Sequence, residues 1–318
     1  MKFLNILRAT TIILFCIAFL WVFYNNNITL QLRSDIYLAV AISTPLHTAG
    51  IIFLTIRLST YLGGTIKKNN SAAVKTILLS QGVELIFPWR LAEFFRVAFL
   101  SYSAGISLAK STATVTKERI GDLIIMSFMT LTSVYIYDIA VSAAVLSIFF
   151  LAALFPIFLF YSNRLQNYLG RVAKKFQQTR IQQWIYVFAE EFLSSLSEKG
   201  FFIGLGAGVV AWALNLLGIW TYLSVSMSSL PTTHPVGLFQ AFFIMTLVVL
   251  SGLLPLLPAG IGLFEAAAIF GLTTLGVEIS EALAIAIGLH ITFLINGIAG
   301  TLLILCRERV HFEKLIKK

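Results

Sequence analysis

Four charged side chains, Glu84, Arg90, Glu93 and Arg96, fall in one short stretch of an apolar segment. Arg90–Glu93 and Glu93–Arg96 are both spaced i,i+3, so one helical face can carry the order Arg-Glu-Arg. A guanidinium donates two parallel hydrogen bonds and keeps its charge, which suits a phosphate or another oxyanion. Two readings follow. Either Glu93 orients Arg90 and Arg96 around an anion, or the charges neutralise one another and simply hold the segment together.

Glu265 stands alone between Phe264 and Ala266-Ala267-Ala268. A carboxylate in such surroundings can carry a proton, pair with a cation or bond to backbone. Its expected partners are Arg90, Arg96 and His290. His290 and His47 both fall inside apolar runs, where a satisfied core histidine is the commoner outcome. In Lys117-Glu118-Arg119-Ile120-Gly121-Asp122, Asp122 lies a turn inside an apolar run and is expected to pair with Arg119 or Arg96, as a gate or a staple.

Prolines sit beside both charged regions. Pro88 and Pro258 each occur where a half-helix could begin, since the first helical turn tolerates the missing N–H. A half-helix start offers free backbone N–H groups and the positive dipole end, hence an anion site. Gly260 and Gly262 allow close backbone approach there, although an ordinary turn would also use them.

Enzyme signatures are sparse. The sequence has no HExxH, no Gly-x-Ser-x-Gly and no phosphate-binding loop. Cys16 and Cys306 lie at opposite ends, and His47, His234, His290 and His311 are scattered. No catalytic residue, metal site or cofactor is expected.

The elements that position these charges belong to a membrane protein. Of 318 residues, 12% are charged and 58% hydrophobic, and the mean hydropathy is +0.90. Soluble domains carry about 25% charged residues. Four unpaired charges at a bilayer centre would cost roughly 10–14 kcal/mol, while each Leu or Phe returns about 0.3–0.6. The charges must therefore pair or face a wet cavity.

Apolar segments cover 10–24, 36–56, 72–108, 120–137, 139–161, 201–225, 236–276 and 282–306. Most suit a bilayer crossing of about 20 residues. The third and seventh are too long, and proline breaks each near its middle. The 10–24 run lacks a small-residue cleavage site and is read as a retained helix rather than a signal peptide. Lys and Arg concentrate in 1–9, 57–75, 110–119, 162–200 and 306–318, while Asp35, Asp138, Glu278 and Glu281 mark other connections. With basic loops placed in the cytoplasm, the bookkeeping closes if each broken segment enters and leaves by one face. The expected fold is thus an all-α polytopic membrane protein with about six transmembrane helices, two re-entrant helical hairpins and cytoplasmic termini, in the inner membrane.

The two halves read as an inverted repeat, about 36–137 and 201–306, within a single membrane domain. Inverted repeats with broken helices meeting at the midplane are a design of secondary transporters. Arg119 follows Glu93 by 26 residues and His290 follows Glu265 by 25. Between the halves, 162–200 alternates basic and apolar residues as an amphipathic linker on the cytoplasmic leaflet would, or as a solvated linker. Nucleic acid is not an expected partner, because no basic face or RNA-binding motif appears.

Pro88-x-Arg90-Leu91-Ala92-Glu93-x-x-Arg96, Glu118-Arg119-x-x-Asp122 and Pro258-Ala259-Gly260-Ile261-Gly262-Leu263-Phe264-Glu265-Ala266-Ala267 resemble motifs of the lysylphosphatidylglycerol synthase transmembrane region family, described as flippase-like. The resemblance covers nearly the whole chain. Ala92 and Ala259 stand where the family usually has glycine, and His290 where arginine is common. The resemblance implies movement of an anionic phospholipid or lipid-linked sugar between leaflets. It is expected without lysyl transfer, because the sequence stops a few residues after its last apolar run. Two alternatives remain. One is a glycosyl or headgroup transferase acting on a polyprenyl-phosphate lipid, with Glu93 or Glu265 as base. The other is an accessory subunit of an envelope-lipid pathway, partnered by its own copies or by a biosynthetic enzyme.

Overall fold

A computed structural model describes residues 33–63, 66–87, 89–137, 180–196, 199–230, 236–252 and 258–308. The runs at 10–24 and 139–161, the first part of the linker, Pro88 and the Arg90 side chain lie outside the described residues.

All described secondary structure is helical: α1 (Ser34–Leu62), α2 (Ile66–Ile86), α3 (Trp89–Ala104), α4 (Leu108–Tyr137), α5 (Arg180–Leu196), α6 (Lys199–Ser226), α7 (Leu238–Ser251), α8 (Leu263–Thr274) and α9 (Ile279–Glu308). Among them, α1, α6 and α9 contain stretches long and apolar enough to cross a membrane. Large apolar side chains such as Leu38, Ile52, Phe128, Ile203 and Phe239 are exposed around the bundle. So much exposed apolar surface suits lipid rather than water as the surrounding solvent.

The axis of the bundle is an antiparallel seam of α1 against α6. Gly50 faces Ala211 and Asn215, Gly208 faces Arg57, and Gly218 faces His47. Small residues on α6 let the two backbones approach closely, so packing and not hydrophobic exclusion holds them. At one end, Arg33 binds Asp35, Glu281 and the Ser226 carbonyl, gathering the starts of α1 and α9 and the end of α6. At the other, Lys117 Nζ donates to the Tyr61 carbonyl and Lys110 reaches Glu191.

Two helix pairs start and finish at the same end of the bundle. Antiparallel α2 and α3 meet through Thr76 and Ser103 near their open ends and Phe87 and Phe95 near the turn. In the second pair, α7 ends at Ser251 and α8 begins at Leu263, with Gly271 of α8 against Ile244 and Leu247 of α7. Exchanging α1–α4 for α6–α9 leaves the pattern of neighbouring helices unchanged: α9 packs on α2 as α4 packs on α7, and α1 lies against α6 in both halves.

Two of the boundaries that differ from the sequence expectation move charged residues of the ion network. The run at 36–56 continues as α1 to Leu62, which moves Arg57 from a basic loop into a buried helix. The fourth helix begins at Leu108, not near 120, so Lys117, Glu118 and Arg119 are helical rather than loop residues. In each case charged residues were read as ending a helix, but opposite charges on neighbouring helices neutralise them inside it.

Candidate functional site

The inner ends of the two hairpins touch. Ala259 donates its backbone N–H to the carbonyl of Glu84, 2.9 Å away, on the last turn of α2. Ala259 adopts φ +56, as do Gly260 and Gly262 at +73 and +85. A left-handed alanine costs on the order of 1–2 kcal/mol. Here it is held from both sides, because its carbonyl also accepts from His290 Nε2 at 3.0 Å.

His290 on α9 and Glu265 on α8 form a buried pair, with Nδ1 2.7 Å from Oε1. The other Glu265 oxygen accepts the Gly262 N–H at 2.6 Å. Both imidazole nitrogens thus face acceptors, so a single proton lies between Nδ1 and Oε1 whichever partner formally owns it. Phe264 stacks on the ring, with centroids 4.2 Å apart. The start of α8 is therefore already occupied by a carboxylate of the chain itself. The expectation of a bare dipole end open to an anion is revised accordingly.

In the first half, Glu93 on α3 binds Arg119 on α4 at 3.1 Å. Glu93–Arg119 and Glu265–His290 are thus counterparts: each joins the returning arm of a hairpin to the helix that follows. The i,i+3 pairing of Glu93 with Arg96 does not form. Arg96 instead binds Glu118 through Nη2 at 2.7 Å. Asp122 binds Arg119 at 3.0 Å, as expected, but also Arg57 at 2.6 Å and the Trp212 indole N–H at 3.1 Å. Arg57 reaches Glu118 as well. Arg96, the other expected partner of Asp122, is bound elsewhere.

Arg57 was missed by sequence reasoning. It is 2% exposed and links the two carboxylates that hold Arg96 and Arg119. The available signal was its place one residue after an apolar run, within a turn of Tyr61, with no helix-stopping residue before Gly63.

Residues of both groups line a cavity of about 320 Å³. Arg57, Arg96, Arg119 and Asp122 of the ion network line it, as do Glu84, Gly260, Phe264 and His290 from the region where the hairpins meet. Ligand pockets run from about 300 Å³ upward. Of the residues expected to act, Arg96, Arg119, Asp122, Gly260 and His290 line it directly. Glu93, Glu118 and Glu265 stand behind them as ion partners. Arg96 is 6% exposed, and its Nε has no hydrogen-bond partner, nor has Arg119 Nε. Among the described residues, no cluster of His, Cys, Asp and Glu could hold a metal.

The sequence model of the lysylphosphatidylglycerol synthase TM region family matches residues 6–300. The chain belongs to that family. No curated protein and no solved structure matches it. Membership covers both hairpins, the ion network and the cavity, and ties the family to a membrane setting and to lipid-related work.

Proposed function

We propose that this protein moves a phosphate-bearing lipid headgroup between the two leaflets of the inner membrane, taking it up in the cavity between the hairpin ends. The observation that carries the reading is the Arg96 guanidinium, buried beside that cavity with its Nε unpartnered. A buried unsatisfied donor costs about 1–3 kcal/mol, and a headgroup phosphate would supply the missing acceptor.

In this reading α1–α4 and α6–α9 are inverted repeats, and α2–α3 and α7–α8 are re-entrant hairpins dipping from opposite faces. The antiparallel α1–α6 seam and the exchangeable neighbour pattern support it. The end holding Lys110 and Lys117 faces the cytoplasm, as do both termini. Arg96 and Arg119 hold phosphate, Glu118 and Glu93 orient them, and Arg57 with Asp122 closes the cytoplasmic side. Glu265 and His290 fix the second hairpin against the first.

The cavity suits a headgroup and is too small for acyl chains, which would stay outside in the bilayer. Reconstitution into proteoliposomes and measurement of transbilayer movement of a phospholipid tests the proposal. Wild type should accelerate movement, and Arg96→Ala and Glu265→Gln should each reduce it roughly tenfold or more, the equivalent of about 1.4 kcal/mol. Equal rates in all three would defeat the site assignment.

A further inference from the structure

The cavity wall carries loose ends of both kinds. On α3 and α4, Arg96 Nε and Arg119 Nε are buried donors without acceptors. On α2, Gln81 Oε1 is a buried acceptor without a donor. One turn further along α2, the Glu84 carboxylate also lines the cavity, and no described residue gives it a hydrogen bond or an ion pair. The guanidinium ends of Arg96 and Arg119 are engaged by Glu118, Glu93 and Asp122. Among the side chains that line the cavity, the two arginines thus lack acceptors and Gln81 lacks a donor.

We infer that the headgroup taken up here is zwitterionic, with its phosphate toward Arg96 and Arg119 and a primary ammonium toward Gln81 and Glu84. An ammonium offers three donors and a positive charge, which answers a carboxylate and an amide oxygen one helical turn apart. A purely anionic headgroup would satisfy the arginines but bring its negative charge toward Glu84. The backbone of Glu84 is fixed by Ala259, so the carboxylate sits where the hairpins meet. Glu84 is then a specificity-determining residue, distinct from the ion pairs that hold the helices together. The inference rests on the transport reading above.

The test is competition between phosphatidylethanolamine and phosphatidylglycerol at equal concentration for the full-length protein, read by native mass spectrometry. Wild type should retain phosphatidylethanolamine roughly tenfold over phosphatidylglycerol, one charge-assisted contact's worth. Glu84→Gln should bring the two within about twofold by weakening phosphatidylethanolamine alone, while Glu84→Asp keeps the preference. Retention of phosphatidylglycerol by Glu84→Gln shows that the variant is folded. Soluble phosphoethanolamine should compete poorly; competition equal to that of the lipid would overturn the assignment to a lipid. Equal binding in wild type, or a preference that survives Glu84→Gln, would overturn the inference and leave the transport reading standing. A wild-type protein that retains neither lipid would overturn both.

Discussion

The Ala259 N–H donates to the Glu84 carbonyl across 2.9 Å, so the turn of one hairpin is hydrogen-bonded to the end of the other. The same Ala259 accepts from His290, which holds Glu265. Three ordinary hydrogen bonds therefore connect α2 to α8 and α9 through one strained residue.

That strain leads to a prediction. Replacing Ala259 by glycine keeps both backbone contacts and removes the left-handed penalty of about 1–2 kcal/mol. Ala259→Gly should raise thermal stability in detergent, whereas Ala259→Val, whose branched side chain tolerates φ +56 poorly, should lower it.

Arg57 should be more sensitive than its position suggests. Removing one partner from a buried ion network costs about 3–5 kcal/mol, because the remaining charges are left uncompensated. Arg57→Ala takes one cation from each of Glu118 and Asp122, leaving them to Arg96 and Arg119 alone, and Arg57→Lys cannot restore two divergent contacts. Both should lower the unfolding midpoint measured by tryptophan fluorescence, with alanine the more severe.

The α1–α6 seam can be probed by glycines that differ only in surroundings. A Cβ at Gly218 would come 2.7 Å from His47 Nε2, and one at Gly204 would collide with the Tyr61 ring, while Gly206 has nothing within 4 Å. Gly218→Ala and Gly204→Ala should destabilise by about 1–3 kcal/mol. Gly206→Ala should be neutral in the same thermal assay.

The Glu265–His290 pair predicts an asymmetric response. His290→Ala leaves a buried carboxylate without its ion partner and frees the Ala259 carbonyl, so both stability and lipid movement should fall. His290→Arg restores a cation opposite Glu265, as Arg119 does for Glu93, and should recover most of the movement in proteoliposomes.

Much of this arrangement was legible in residue type and spacing. Glu93 with Arg119 and Glu265 with His290 share nearly the same separation, and both pairs form. Partner choice among nearby arginines was not legible. Glu93 could reach Arg96 along its own helix, but Glu118 on α4 competes for Arg96, and only the packing of α3 on α4 decides. Proline was an incomplete guide for a similar reason. Pro45 lies inside α1 without ending it, whereas α2 ends at Ile86 just before Pro88 and α7 ends at Ser251, well before Pro258. In α1 the close packing against α6 supports the helix across the proline. Arg57 was hidden by the rule that a basic residue after an apolar run lies in a loop. That rule fails when a carboxylate on another helix receives the charge.

The most direct test of the account is an experimental density map of the protein in a lipid nanodisc. The account predicts headgroup density in the cavity, with phosphate beside Arg96 and Arg119 and acyl chains leaving toward the bilayer. A cavity filled by ordered water alone, with every lipid confined to the outer surface of the bundle, would contradict it.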